Sequence, residues 1–262
     1  MAFFTTSDNA KIYYREAGQG KNLIMVHGYS CTGEYFKKNF PELSKYYHVI
    51  NVDLRGHGNS SDVDHGMQVA RLATDIHELL TELDLQDVTY LGWSMGCSIG
   101  WSYWQLFGKD RLSKFIFIDE AAWALNAPEN PSNLLTFDET QAFEKSLFVD
   151  EKKAIDDFIQ SALVDKSVEI TDLVNDSAKA HPEFLAPLFN NHMTLDWNDT
   201  IKTITIPSLV VSGKQSFLNW KLVKKVADDI PNSRFEQFAD SGHLLFIEEP
   251  ERFNKLVADF IG

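Results

Sequence analysis

The pentapeptide GWSMG, residues 92–96, decides how this chain is interpreted. It ends an apolar run, DVTYLGWS (87–94), that is typical of a buried strand, and an apolar helical pattern follows it. The spacing G-x-S-x-G is typical of a sharp strand-to-helix turn, which needs glycine where passing backbone leaves no room for a Cβ. Such a turn exposes the hydroxyl of Ser94 and directs the backbone N–H of Met95, near the positive end of the helix dipole, at an adjacent oxyanion. We therefore predict that Ser94 is a nucleophile and that Met95 contributes to an oxyanion hole.

Strand and helix patterns alternate along most of the chain, which predicts an α/β fold with a doubly wound, mostly parallel sheet. Two N-terminal runs, AFFTT and AKIYYREAG, predict an antiparallel hairpin. The other predicted strands are NLIMVHG (22–28), YHVINVDLRG (47–56), DVTYLGWS (87–94), LSKFIFIDE (112–120), PSLVVSG (207–213) and SRFEQF (233–238). The main predicted helices are QVARLATDIHELLTELDL (68–85), SIGWSYWQLFGKD (98–110), NWKLVKKVADDIP and PERFNKLVADFIG.

One segment, residues 123–197, interrupts this alternation. It carries helical patterns and the breakers NAPENPSN and HPEFLAP, but no convincing strand. We predict that residues 1–122 and 198–262 form the core and that 123–197 are inserted as a helical cap, or lid, over the site.

Two loops supply further candidates. HGYS (27–30) directly follows a predicted strand, where the backbone N–H of Tyr29 is placed to be the second oxyanion donor. DSGHLLFIEEPERF (240–253) lies between the last predicted strand and the terminal helix, and His243 on it is the natural general base. The order of Ser94 before His243 agrees with the order nucleophile, acid, histidine of G-x-S-x-G hydrolases.

The motifs HGYS, DLRGHGNSS (53–61), GWSMG and SGHLLFIEEPERF occur in one order, and with them the chain resembles the α/β-hydrolase superfamily over essentially its whole length. The resemblance implies an eight-stranded, mostly parallel sheet with helices on both faces and a helical cap after the sixth strand. It also implies hydrolysis through an acyl-serine intermediate, with no metal and no other cofactor.

The third member of the expected catalytic triad is missing from its usual place. In most relatives the acid follows the seventh strand in a pattern like G-x-x-D, but here GKQS (213–216) has Ser216 at that position. A neutral hydroxyl cannot stabilise a histidine imidazolium, and losing the charged partner costs roughly 10⁴-fold in a serine protease of another fold. Asp119, at the end of the predicted sixth strand, is our candidate for the acid and Glu120 is the alternative; a strand-capping role is the structural interpretation of Asp119.

Composition limits the partners. The 262 residues include 24 Lys or Arg and 38 Asp or Glu, for a net charge of −14, which disfavours nucleic acid and anionic membranes and favours neutral or cationic small ligands. The two cysteines predict neither a disulfide framework nor a metal site, and the N-terminal residues MAFFTTSDNAKIYY lack the features of a secretory signal. We expect a cytoplasmic protein with a small-molecule ester substrate and neither nucleic-acid nor membrane partners; a homodimer is left open.

These residues predict a serine hydrolase, by default a carboxylesterase, that cleaves small, largely apolar esters. Trp93 and Trp123 flank the catalytic positions and are predicted to line the substrate pocket. A lactonase or a cofactor-free perhydrolase would use the same serine and oxyanion hole. The alternative from another class is a catalytically weak ligand-binding protein on a hydrolase scaffold.

Overall fold

An eight-stranded sheet runs through the centre of the molecule. The computed structural model describes residues 2–60, 63–177 and 179–262. The strand order is β1-β2-β4-β3-β5-β6-β7-β8. The β1–β2 and β2–β4 pairs are antiparallel, whereas all the other neighbouring strands are parallel. The strands are β1 (Ala2–Thr5), β2 (Lys11–Ala17), β3 (Asn22–Val26), β4 (His48–Val52), β5 (Val88–Trp93), β6 (Leu112–Ile118), β7 (Ser208–Gly213) and β8 (Ser233–Phe238).

The predicted α/β fold is therefore confirmed, including the N-terminal hairpin and the mostly parallel sheet. Strands β3, β5 and β7 are almost entirely buried, as expected for parallel strands that helices cover on both faces. The helices are α1 (Phe40–Leu43), α2 (Val69–Glu82), α3 (Met95–Phe107), α4 (Phe137–Ser161), α5 (Thr171–Ser177), α6 (Pro182–Thr194), α7 (Asn198–Ile201), α8 (Trp220–Asp229), α9 (Leu245–Glu248) and α10 (Pro250–Ile261).

Several element boundaries differ from the prediction by a few residues, and two of these differences lie at the site. Helix α3 begins at Met95 rather than at 98, because the turn at Ser94 leads directly into it. Strand β6 ends at Ile118 rather than at 120, because Asp119 has a φ of 50°, which leaves the extended conformation.

The predicted insertion lies between β6 and β7 and contains α4, α5 and α6. Helix α4 begins with a capping box, in which Thr136 and Glu139 each bond to the other's backbone N–H. It bends at Asp150, whose backbone is not helical. The two ends of the insertion meet where the Trp197 N–H donates to the Ala122 carbonyl at 2.8 Å. That this segment acts as a lid stays a prediction. Over the described ranges, no helix has the length and apolarity required to span a membrane.

Candidate active site

Ser94 occupies the turn between β5 and α3 in a strained conformation. Its φ of 54° and ψ of −126° lie outside the regions that non-glycine residues prefer, at a cost of order 1–3 kcal/mol. The flanking glycines allow this turn. A Cβ on Gly92 would lie 2.4 Å from the Gly96 carbonyl oxygen, and a Cβ on Gly96 would lie 2.4 Å from the Val26 carbonyl oxygen. The sequence thus folds into an elbow because close backbone crossings on both sides of the serine exclude larger residues.

The loop after β3 approaches this serine closely. A Cβ on Gly28 would lie 3.0 Å from the Cβ of Ser94, which brings the next peptide N–H, that of Tyr29, to the region of the serine hydroxyl. Met95 is the first residue of α3, and the N–H groups of a first helical turn have no partner within the helix. The two predicted oxyanion donors therefore both come from backbone next to Ser94. The Tyr29 N–H belongs to the loop after β3, and the Met95 N–H belongs to the start of α3.

His27 holds the loop in place. Its Nδ1 bonds to the Gly28 carbonyl at 2.8 Å, and the Leu54 N–H lies 2.9 Å from its Nε2. With Nε2 as the acceptor, Nδ1 carries the proton and donates. Burial lowers the pKa of His27 to about 4, so the ring is neutral near pH 7. The neutral ring is the form that both hydrogen bonds require.

His243 contacts the carboxylate of Asp119. Asp119 is fully buried, and its Oδ2 lies 2.8 Å from His243 Nδ1. The same oxygen accepts a hydrogen bond from Ser216 Oγ at 2.6 Å. The other oxygen, Oδ1, accepts from Ser212 Oγ and from the Gly213 N–H, each at 3.0 Å. A carboxylate with donors on both oxygens suits the ionised form, and it fixes the proton of His243 on Nδ1, which leaves Nε2 as an acceptor.

Glu120, the alternative acid, faces away from His243. Its Oε1 accepts a hydrogen bond from the Ala121 N–H at 2.9 Å. Its Oε2 lies 3.5 Å from Nε2 of His192 on α6, and both side chains are buried. Of the two adjacent acids, Asp119 is the one that the structure brings to His243.

Hydrogen bonds to the backbone of His243 hold the loop that carries it. The Trp93 indole Nε1–H donates to the His243 carbonyl at 3.0 Å, and the His243 N–H donates to the Ala162 carbonyl, just beyond α4, at 3.1 Å. The ring of Phe217 lies 4.6 Å from the imidazole, centroid to centroid. These contacts restrict the ring to one position beside the site.

Ser94 and His243 line the same small cavity. The volume in which the centre of a water molecule fits is only about 10 Å³, so the cavity has room for roughly one water. Apart from Ser94 and His243, its lining is almost wholly apolar: Tyr29, Cys31, Trp93, Phe158, Ile159, Ala162 and Leu244. Trp123 instead lines a separate cavity of about 260 Å³, together with Glu129, Asp196 and Lys225. Trp93 therefore lines the same cavity as Ser94, whereas Trp123 lines a different one.

Several residues at the site gave no signal in the sequence. Phe158 and Ile159 on α4 belong to a segment in which no single aromatic or aliphatic residue stands out. Ser212 and the Gly213 N–H become partners of Asp119 only because β6 and β7 are neighbours in the sheet. In the part of the chain that the structure describes, no group of three or more His, Cys, Asp or Glu side chains is arranged to hold a metal ion.

Comparison with known proteins identifies the family. The family model described as the alpha/beta hydrolase fold matches residues 21–250. An esterase from Exiguobacterium antarcticum superposes with a TM-score of 0.94 at 26% identity, covering 99% of this chain and 98% of that one. The chain therefore belongs to the α/β-hydrolase family and is an enzyme of that class.

Two curated relatives illustrate the activities found among similar proteins. The pimeloyl-[acyl-carrier protein] methyl ester esterase of Vibrio cholerae is 26% identical over 267 residues, covering 95% of this chain and 97% of that protein. The non-heme haloperoxidase of Rhodococcus erythropolis is 24% identical over 226 residues, covering 81% of each. The relatives agree on the fold and include esterases, but they do not agree on one substrate.

Proposed function

We propose that the protein is a serine hydrolase that cleaves small, largely apolar carboxylic esters. Ser94 is the nucleophile, His243 the general base and Asp119 the acid that orients it, while the N–H groups of Tyr29 and Met95 form the oxyanion hole. The observation that carries this proposal is the 2.8 Å contact between Asp119 Oδ2 and His243 Nδ1. It supports a complete triad although Ser216 stands where most relatives have the acid.

The reaction proceeds in two halves. Ser94 Oγ attacks the ester carbonyl carbon while His243 Nε2 takes its proton, and the two N–H groups stabilise the oxyanion. The tetrahedral intermediate collapses as His243 gives the proton to the leaving alcohol, and an acyl-serine remains. Water then attacks the acyl-serine, again with His243 as the base, and releases the acid and free Ser94. Asp119 keeps the imidazole in the required tautomer and stabilises the imidazolium in both halves.

The lining of the cavity supports an uncharged acyl group. Apart from the catalytic residues Ser94 and His243, its side chains bear no ionisable group that is charged near pH 7, because burial raises the pKa of the Cys31 thiol and of the Tyr29 hydroxyl above their usual values. A charged acyl chain would lose its hydration without finding a partner in this cavity. The net charge of −14 adds a general repulsion of anionic substrates.

The experiment combines covalent labelling with turnover. The native protein, Ser94→Ala and a control, Ser102→Ala, are treated with a fluorophosphonate probe and assayed on p-nitrophenyl acetate. Ser102 is a buried serine on α3, the helix that follows Ser94, and it has no role in the proposed chemistry. We expect labelling and turnover in the native protein and in Ser102→Ala, and neither in Ser94→Ala.

The other functions give different results in the same experiment. Labelling with negligible turnover would indicate a ligand-binding protein on a hydrolase scaffold. Turnover of lactones, or peracid formation from acetate and hydrogen peroxide, well above ester hydrolysis would favour a lactonase or a perhydrolase. Turnover that survives Ser94→Ala would refute the acyl-serine mechanism.

A further inference from the structure

The end of helix α4 forms one wall of the cavity at Ser94. Phe158 and Ile159, in the last turn and a half of the helix, and Ala162, just beyond it, all line that cavity. Ile159 is buried, and Phe158 is half-buried. The predicted lid therefore contributes side chains to the same cavity as the proposed nucleophile.

This wall is fastened to the loop that carries His243. The Ala162 carbonyl accepts the His243 N–H at 3.1 Å. The Glu248 carboxylate accepts hydrogen bonds from the Gly242 N–H at 2.7 Å through Oε2, and from the Val164 N–H at 2.7 Å through Oε1. One carboxylate thus joins the histidine loop to the chain that leaves α4. The bend at Asp150 separates this fastened half of α4 from the half that precedes it.

Gly242 shows how closely the two segments pack. A Cβ at this position would lie 2.9 Å from the Ala162 carbonyl oxygen and 2.9 Å from a methyl carbon of Val164. Such a contact leaves no space for the wall to shift towards the histidine loop, and the Glu248 bonds oppose its movement away. The end of α4 is thus held at a fixed distance from His243.

Four other aromatic rings surround the ring of Phe158. Its centroid lies 6.4 Å from that of Tyr29, whose backbone is the proposed oxyanion donor. It lies 6.1 Å from Phe217, whose ring packs on His243. Two further rings, Phe143 and Phe189, surround it at 5.5 and 6.2 Å. Because packed rings resist displacement, Phe158 occupies a defined volume next to the reacting atoms.

We propose that Phe158, with Ile159 behind it, sets the size of the acyl pocket and restricts the enzyme to esters of short acids, acetyl and propionyl before longer or aromatic acyl groups. This inference rests on the proposed serine-hydrolase function. Because the free space of about 10 Å³ holds roughly one water molecule, each carbon added to the acyl group requires further displacement of the packed rings. We assign this restriction to the acyl part of the ester rather than to the alcohol part. The acyl group stays on Ser94 in the enclosed site through the second half of the reaction, whereas the alcohol needs a path to solvent.

The test compares Phe158→Ala with Phe148→Ala. Phe148 is on the same helix, but it is 59% exposed, so its loss removes an equal side chain without opening the pocket. kcat/KM is measured on p-nitrophenyl acetate, butyrate and octanoate, and on acetates of alcohols of increasing size. For Phe158→Ala we expect the octanoate-to-acetate ratio to rise at least about tenfold, the lower end of the discrimination that one methylene in an apolar pocket provides. Phe158→Leu is expected to give an intermediate ratio, and Phe148→Ala the native one.

The outcomes separate this inference from the function on which it rests. An unchanged acyl ratio in Phe158→Ala and Phe158→Leu, with acetate turnover retained, overturns the inference but not the proposed function. A shift in the alcohol series alone would also overturn it, because Phe158 would then border the leaving group. A native protein that prefers octanoate to acetate contradicts it as well. If the native protein neither turns over any ester nor reacts with the fluorophosphonate, the proposed function itself fails.

Discussion

Asp119 and Glu120 are adjacent, both are buried, and each faces a histidine, yet their surroundings differ. Asp119 lies 2.8 Å from His243 Nδ1, and both of its carboxylate oxygens accept hydrogen bonds from other groups as well. Glu120 lies 3.5 Å from His192 Nε2, and the Nδ1 atom of His192 has no hydrogen-bond partner among the described residues. In the first pair both carboxylate oxygens are hydrogen-bonded at the carboxyl end of β6, whereas the second pair is a looser contact between the core and α6.

The difference shows what positions the Asp119 carboxylate at the end of β6. The positive φ of Asp119 ends the strand and turns its side chain towards β7. There, Ser212, Gly213 and Ser216 donate hydrogen bonds to it, in the segment where the resemblance to the family predicts the acid itself. Ser216 is thus a hydrogen-bond partner of the proposed acid, and the segment after β7 holds that carboxylate in place.

The largest effect that separates the two pairs is expected from Asp119→Asn. The amide cannot stabilise an imidazolium, and it no longer fixes the Nδ1–H tautomer, so kcat on p-nitrophenyl acetate should fall by roughly 10³–10⁴-fold. Labelling by a fluorophosphonate should slow to a similar extent. A loss of less than tenfold, in a variant whose circular dichroism and melting temperature are native, would show that Asp119 is only a strand cap.

The next largest expected effect is a recovery of kcat in a double variant. In Asp119→Asn/Ser216→Asp the carboxylate returns to the position that it has in most relatives, and kcat should recover by about 10- to 100-fold over Asp119→Asn, since the triad tolerates different origins of its acid. Ser216→Asp alone should lower kcat, because Ser216 Oγ lies 2.6 Å from Asp119 Oδ2 and a second carboxylate there repels the first. No recovery in the double variant would mean that the segment after β7 can no longer present an acid to His243.

The sequence predicted the fold, since strongly apolar strands and amphipathic helices leave few alternatives to a doubly wound sheet. It also predicted which residues to examine at the site, because Ser94 and His243 lie in motifs with restrictive local geometry. The choice between Asp119 and Glu120 depended on one backbone angle, which no periodicity encodes. The wall formed by Phe158 and Ile159 depended on how α4 packs on the histidine loop, a contact between segments far apart in the chain. Trp123 is close to Asp119 in sequence, which predicts a place at the site, but the chain turns it to another cavity.

His27 and His57 are two further buried histidines, and each bonds to a backbone carbonyl instead of a carboxylate. They extend the comparison to imidazole rings without a carboxylate partner. Burial lowers the pKa of His27 to about 4 and that of His57 to about 3, from an ordinary value of 6.5. Well above pH 6.5 both rings are neutral in the folded and the unfolded chain. As the pH falls below 6.5, the unfolded chain binds protons that the folded one does not, so the free energy of unfolding should fall by up to about 1.4 kcal/mol per pH unit for each histidine.

The measurement is denaturant unfolding of the native protein and of His57→Asn between pH 7.5 and 5. Asparagine can still donate to the Arg55 carbonyl, which accepts from His57 Nδ1 at 2.8 Å. Because other groups titrate equally in both proteins, the difference between their slopes isolates His57. Equal slopes would mean that His57 titrates alike in the folded and unfolded chains.

The smallest effect is expected from Glu120→Gln, which completes the comparison with Asp119→Asn. The amide oxygen can still accept the Ala121 N–H, and the 3.5 Å contact with His192 is weak, so the free energy of unfolding should fall by only about 1 kcal/mol. Because Glu120 does not contact His243, kcat on p-nitrophenyl acetate should stay within about threefold of the native value, an effect below 1 kcal/mol. Equal losses of kcat in Glu120→Gln and Asp119→Asn would contradict the assignment, because the two acids would then act as one unit on His243. A stability loss without a loss of kcat would establish that the second carboxylate–histidine pair fastens α6 to the core and takes no part in the chemistry.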